Sequence, residues 1–296
     1  MGDATARDVG EFGLIAAVTA RFPRTDAVLL GPGDDAAVLA VSDGRVVATT
    51  DVLVEGVHFR RDWSSGYDVG RKAAAANLAD VAAMGGVGTA LLIGLVAPAD
   101  LPVQWALDLA DGLRDECELV GAAVVGGDTV AATGLVVSVT ALGRVERWVT
   151  RRGASPGDLV VVAGRLGHSA AGLRLLQAGV RTGALVEAHR RPTPPYEAGP
   201  ALARAGATAM CDVSDGLVKD LGHIARASGV RIELEAVSLH DDAVSLEDVL
   251  TGGEDHALVA TVPAPVAGCR TIGRVVQGKG VTLDGAPVRG GWEHFA

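Results

Sequence analysis

The sequence predicts an α/β (α+β) protein built as two domains. Short apolar runs alternate with longer amphipathic stretches along the whole chain. A polar, turn-rich stretch at residues 147–158 interrupts that alternation midway. The 296 residues also exceed the ~100–200 usual for one domain. The boundary is expected near residue 148, giving domains of residues 1–148 and 149–296.

In chain order, residues 11–21 read as a short helix. The runs 36–41 and 46–50 flank Ser42-Asp43-Gly44-Arg45, a hairpin signal. Residues 67–84 are Ala-rich with an apolar face and read as a helix, and 90–96 as a strand. Pro102 opens a third helix to residue 120. Residues 122–125 and 135–142 read as buried strands. The second half starts over with strand 159–163 and helix 169–177. A Pro-rich link at 192–195, helices 197–205 and 220–228, and strands 231–235, 258–262, 271–276 and 281–283 follow.

Composition narrows the function classes. Hydrophobic residues are 49% and charged residues 21%, as in a soluble globular protein. Aromatics are only 3%, so Ala, Val, Leu and Ile must fill the core. A net charge of −10 argues against nucleic acid and acidic membranes as partners. Cys117, Cys211 and Cys269 lie far apart, which suits a reducing cytoplasm better than a disulfide framework or a zinc site. The first ten residues carry charges and no apolar stretch, so no signal peptide is expected. Residues 81–99 lack charge, but Gly85, Gly86, Gly88 and Gly94 make them read as a helix end, a turn and a strand rather than a membrane span.

The chemistry is concentrated in short acidic clusters beside Gly, Ser or Thr. They are Gly31-Pro32-Gly33-Asp34-Asp35, Thr49-Thr50-Asp51, Asn77-Leu78-Ala79-Asp80, Gly126-Gly127-Asp128-Thr129, Asp212-Val213-Ser214-Asp215-Gly216 and Gly252-Gly253-Glu254-Asp255. Each has a plain structural reading as a turn, a cap or a solvated helix carboxylate. Their joint recurrence near strand ends and helix starts is what points to ligands. Mg²⁺ takes oxygen donors and bridges carboxylates to phosphates. Carboxylates gathered on one site repel unless cations neutralise them. Gly273 to Lys279 matches most of a phosphate-binding loop, but Gly280 stands where Ser or Thr would hold Mg²⁺, and a hairpin turn is expected there. His58 and Trp292 are candidates to contact a ligand, with ordinary packing as the alternative.

In order and spacing, these clusters resemble the thiamine-monophosphate kinase family, of the superfamily that includes aminoimidazole ribonucleotide synthetase and selenophosphate synthetase. The resemblance runs from Gly10-Glu11-Phe12 to Gly291-Trp292-Glu293-His294-Phe295. It implies a two-domain aminoimidazole ribonucleotide synthetase-like fold, with N-terminal sheets pairing in the barrel of a homodimer. It implies transfer of the ATP γ-phosphoryl group to thiamine monophosphate. By motif, Asp34, Thr50, Asp51, Asp80, Asp128, Asp212 and Asp215 would hold several Mg²⁺ ions. Asp35, Thr129, Arg151 and Ser214 would touch metal-bound water or ATP, and Asp128 would also bind the nucleotide. Thr49, His58, Glu254 and Trp292 would line the thiamine-phosphate pocket, with Trp292 stacking on a substrate ring.

Such chemistry agrees with the residue types. Phosphoryl transfer asks a protein mainly for positioning and charge neutralisation. Two anionic phosphates must meet, so cations held by many Asp residues are needed. An ionised phosphate nucleophile needs little help from a base, which fits the lack of a nucleophile–base pair in the sequence. Four positions depart from the family pattern. His256 and Ala257 replace a usual aromatic and acid, His168 a common Asp, and Pro32 an aliphatic residue. The alternatives are a sister enzyme with another substrate and a non-catalytic nucleotide-binding protein.

Overall fold

The computed structural model describes residues 28–30, 37–41, 44–98 and 100–293. Asp34, Asp35, Pro32 and the helix expected at 11–21 lie outside the described residues, as do Gly10-Glu11-Phe12 and His294-Phe295.

The first sheet has β1 (Val28–Leu30), β2 (Ala37–Val41), β3 (Gly44–Val54), β4 (Val87–Ala97), β5 (Ala123–Ala131) and β6 (Val136–Arg144), in the order β1-β2-β3-β6-β4-β5. β2 and β3 form the expected hairpin, with Val41 opposite Gly44. Only β4 and β5 run parallel, because the crossover between them is a helix. Two helices, α1 (Gly66–Ala83) and α2 (Val103–Glu118), cover one face. They sit very close together: a Cβ on Gly70 would run into the Leu109 carbonyl, and one on Gly112 into the Tyr67 carbonyl. The other face carries exposed Val52 and Leu92, and the edge strand β5 is exposed throughout.

α1 explains its own composition. Ser65 caps it in a reciprocal box with Asp68. It is buried almost all round, because it packs on the first sheet and also touches the second domain. Small Ala side chains permit that double contact. At its end, Gly85 takes φ 78° and turns the chain into β4. The uncharged run 81–99 is therefore split between helix, turn and strand. No described helix is long and apolar enough to cross a membrane.

The second sheet has β7 (Leu159–Ala163), β8 (Ala209–Val213), β9 (Arg231–Leu234), β10 (Ala257–Val262), β11 (Arg270–Val276), β12 (Gly280–Leu283) and β13 (Ala286–Pro287), in the order β13-β12-β9-β11-β7-β10-β8. β7 and β10 are interior strands, β10 wholly and β7 almost wholly buried. Its helices are α3 (His168–Gln177), α4 (Ala184–Arg190), α5 (Ala198–Arg204), α6 (Leu217–Ser228) and α7 (Leu246–Thr251). α6 and α5 belong to two separate core clusters of that sheet. Ala82 and Ala83 of α1 meet Leu258 of β10 at the join between the two sheets. Cys117, Cys211 and Cys269 are free thiols.

Two expectations need correction. The strand expected at 122–125 is β5, which is exposed rather than buried and runs on through Gly126 to Thr129. A Cβ at Gly127 would strike the Ile93 carbonyl, so glycine is what lets β5 stay paired with β4 there. Residues 273–280 are not a hairpin turn: β9 lies between β11 and β12, antiparallel to the first and parallel to the second. No helix follows that segment, so it has no phosphate-binding geometry.

Candidate functional site

The site lies where α1 and β3 of the first domain face the ends of β8 and β10 of the second. Strand alternation sorts Thr49-Thr50-Asp51 first. Thr49 Oγ1 donates to Asp80 Oδ2 at 2.7 Å. The Asp51 amide donates to Asn77 Oδ1 at 3.1 Å, and buried Asn77 is anchored on the Ala73 carbonyl. Thr50 points to the other side of the sheet, donating to the Val139 carbonyl and accepting from Thr140. Asp80 is thus a carboxylate on the strand-facing side of α1 and not a solvated one.

Across the domain junction, Asp212 at the end of β8 is buried and accepts from His256 Nδ1 at 3.0 Å. Burial pushes the Asp51 carboxyl up, the charge of Asp212 adds to this, and His256 opposes it. Burial alone would lower His256, but Asp212, Glu254 and Asp51 outweigh it and raise its pKa. Asp51 and Asp212 therefore share one electrostatic neighbourhood although they come from different domains.

The loop after α7 is unusually constrained. Glu254 and His256 hold left-handed backbones, φ 61° and 52°, which costs non-glycine residues roughly 1–3 kcal/mol each. The surroundings hold them there. The Glu254 amide donates to the Ser214 carbonyl (2.7 Å) and the His256 amide to the Val213 carbonyl (3.0 Å). Between them, Asp255 accepts from the amides of Gly167 (2.5 Å) and Ser169 (2.8 Å). That carboxylate serves the start of α3, whose N-cap Gly167 has no side chain to do so. A Cβ on Gly253 would come within 2.5 Å of the Ser214 carbonyl, so glycine is needed for the loops to touch.

Asp215 Oδ2 pairs with Lys219 Nζ at 2.9 Å. Its carbonyl accepts from the Trp292 amide at 2.9 Å, which brings the chain's end onto the same loop, with the indole half exposed. His58 Nδ1 accepts from the Val54 amide at 3.0 Å. Lys72 links the His58 carbonyl to Glu254 Oε2, at 3.1 and 2.8 Å. Arg151 lies beside α6, its carbonyl accepting from Ser228 Oγ. Burial first, then the charges of Arg151, Arg226 and Lys219, hold His223 down to about 4.

The structure thus brings together Thr49, Asp51, Asp80 and Asp212, and joins His58 to Glu254 and Asp215 to Trp292. Asp128 and Thr129 stand apart, exposed on β5, with the Thr129 amide on Asp128 Oδ1. In register, Asp128 lies opposite Gly94, Gly94 opposite Ser138, and Ser138 opposite Val52. Three strand spacings put it roughly 14 Å from β3. The donors are hard oxygens, as Mg²⁺ requires. No three His, Cys, Asp or Glu side chains converge at metal-binding distance among the described residues. Lys72 and His256 had no assigned role in the sequence. The signal for Lys72 was a cation set against the run Ala73-Ala74-Ala75-Ala76.

Comparison with known proteins identifies the family. Residues 33–145 match the AIR synthase related protein N-terminal domain, and residues 155–285 the C-terminal domain. Thiamine-monophosphate kinase of Mycobacterium tuberculosis is 48% identical, over 98% of this chain and 93% of that protein. The Escherichia coli (strain K12) protein of the same name is 36% identical, over 97% and 98%. A solved structure, AaThiL complexed with AMPPCP and TMP, is 36% identical with a TM-score of 0.91, covering 98% of this chain and 99% of that one. This chain belongs to the thiamine-monophosphate kinase family of AIR synthase related proteins.

Proposed function

We propose that this chain is a kinase that moves the γ-phosphoryl group of ATP onto the phosphate of thiamine monophosphate, releasing ADP and thiamine diphosphate. A phosphate oxygen of thiamine monophosphate forms the new P–O bond as the bond to the ADP oxygen breaks. The observation that carries this reading is the Lys72 bridge from His58 in one domain to Glu254 in the other, with Asp51 and Asp212 close enough for their charges to act on each other. The likeness to AaThiL complexed with AMPPCP and TMP supplies the ligand identities.

Asp51, Asp80, Asp212 and Asp215, with Asp34 and Asp128 by motif, would hold Mg²⁺, whereas the Thr50 hydroxyl faces the other side of the sheet. Bound Mg²⁺ would neutralise the phosphates and align them. His58, Thr49 and Glu254 orient the substrate, and Trp292 offers a ring to stack on. Ser214, Thr129 and Arg151, with Asp35 by motif, would contact ATP or metal-bound water. Direct in-line transfer predicts inversion at a chirally labelled γ-phosphorus, and net retention would exclude it.

A homodimer is supported by the exposed apolar side chains Val52, Leu92, Val124, Val125 and Val130 on β3, β4 and β5. The division at residue 148 is supported by two sheets that share no strand. Three free cysteines suit a cytoplasmic location.

The deciding experiment incubates purified protein with ATP, Mg²⁺ and thiamine monophosphate, with D212N as control. Thiamine diphosphate from the unaltered chain, nearly lost in D212N, is expected. No product from a folded protein that binds Mg-ATP would move the reading to a sister enzyme.

A further inference from the structure

Lys72 is only 3% exposed, unusual for a lysine, and it belongs to the first domain. An ammonium group has three N–H donors. One goes to the His58 carbonyl at 3.1 Å and one to Glu254 Oε2 at 2.8 Å, across the domain junction. Both partners are residues placed around the substrate in the reaction proposed above, on which this inference rests.

The pair leaves Glu254 in a defined state. Burial alone would raise its carboxyl, but Lys72 overrides this, with help from His189 and His256, and holds it down to about 2. His189 faces the same carboxylate at 3.9 Å. It is itself pushed down to about 3, by burial first and Lys72 second, so it is neutral near pH 7. Its Nδ1 is also within hydrogen-bond distance of Ser169 Oγ, at 3.1 Å. Among the described residues, Lys72 is thus the full cation in contact with Glu254. The Glu254 side chain keeps 32% of its surface exposed, and its Oε1 has no protein donor among the described residues.

An ionised carboxylate only accepts hydrogen bonds. An amino group on a substrate ring can satisfy Oε1, whereas a ring carbonyl leaves it unpaired and faces it with a second acceptor. Sites built on such a hydrogen bond reject analogues lacking the donor far better than apolar pockets do. We propose that Lys72 is a specificity-determining positioning residue, which makes the pocket choose the aminopyrimidine ring of thiamine monophosphate over its 4-oxo analogue by fixing Glu254 as a pure acceptor.

The test compares kcat/KM for thiamine monophosphate and for its 4-oxo analogue in the unaltered chain, K72M, K72R and E254Q. The unaltered chain is expected to prefer the amino substrate by roughly 100-fold or more. K72M should raise KM for thiamine monophosphate about tenfold, leave KM for ATP within about twofold, and shrink the preference about tenfold. K72R, which keeps the charge, should recover most of it. If K72M does not fold, the near-isosteric E254Q decides, because it presents an amide instead of an acceptor-only group and should also shrink the preference. A folded K72M with an unchanged preference, or an unchanged preference in E254Q, overturns the role of Lys72 while leaving the kinase reading intact. No thiamine diphosphate from the unaltered chain overturns that reading and this inference together.

Discussion

Two buried polar networks leave α1 from adjacent residues, and they are balanced in opposite ways. Arg71 donates to Glu116 and, at 3.1 Å, to the Tyr67 hydroxyl. Tyr67 donates on to Asp115, and Tyr196 of the second domain donates to the other oxygen of Glu116 at 2.5 Å. Glu116 is almost fully buried, yet both its oxygens are satisfied. Burial and the charge of Glu116 keep the Tyr196 phenol well above its usual range, so it stays a donor. One residue on, Lys72 pairs with Glu254, and the charges of Asp212, Glu254 and Asp51 act together on His256. The first network joins the domains and closes on itself. The second is left with surplus negative charge, the condition of a site that works on cation-bound phosphates.

The largest effect should come from removing one surplus charge. D51N should lose turnover by roughly 10³-fold or more, because a charge-neutralising ligand disappears from the transition state. The same change should raise stability measured without divalent cations by about 0.5–2 kcal/mol, as relief of a strained functional site often does. Denaturation with and without Mg²⁺, beside the product assay, checks both. A D51N protein that is less stable without metal would show that Asp51 is balanced already. The opposite signature is expected in the closed network. E116L should cost about 3–5 kcal/mol of stability by stranding Arg71, while turnover per folded molecule changes little. A strong loss of kcat in folded E116L would mean that the two networks are not independent.

This contrast was only half legible in the sequence. The acidic clusters could be read because their spacing is local: Asn77 and Asp80 sit three residues apart and share a helix face. The helix 67–84 and the pairing of β2 with β3 were legible for the same reason. Pairings across the domains were not. Lys72 and Glu254 are 182 residues apart, and no periodicity connects them. β8 escaped notice because its five residues include Cys211 and Asp212, so it carries no clean apolar run. α7 and α4 are six and seven residues long, too short for a helical period to show. The Gly126-Gly127 pair reads as a loop, since only the nearness of the Ile93 carbonyl explains why a strand needs glycine there.

The smallest effect tests a third way of holding a buried carboxylate. Asp255 follows Glu254 directly but shifts the other way: burial raises it to about 6, despite amide donors at Gly167 and Ser169. Glu254 has an ammonium partner and is held near 2. Two amides do not replace a cation. The signs give different pH windows. A carboxyl raised above its unfolded value of 3.8 contributes stability that is full below that value and is lost as pH rises through about 6. Glu254, lowered from 4.5, contributes above that value and loses its share only as pH falls through about 2. Between pH 4.5 and 7, therefore, only Asp255 of the two produces a slope. The unaltered chain should lose about 1–3 kcal/mol relative to D255N across pH 4 to 7, while turnover at neutral pH stays close to normal. Urea midpoints for both proteins at several pH values provide the measurement. Parallel curves would mean that the helix start of α3 stabilises the Asp255 charge as well as a cation does, and the distinction drawn between cation and amide partners would not hold at this loop.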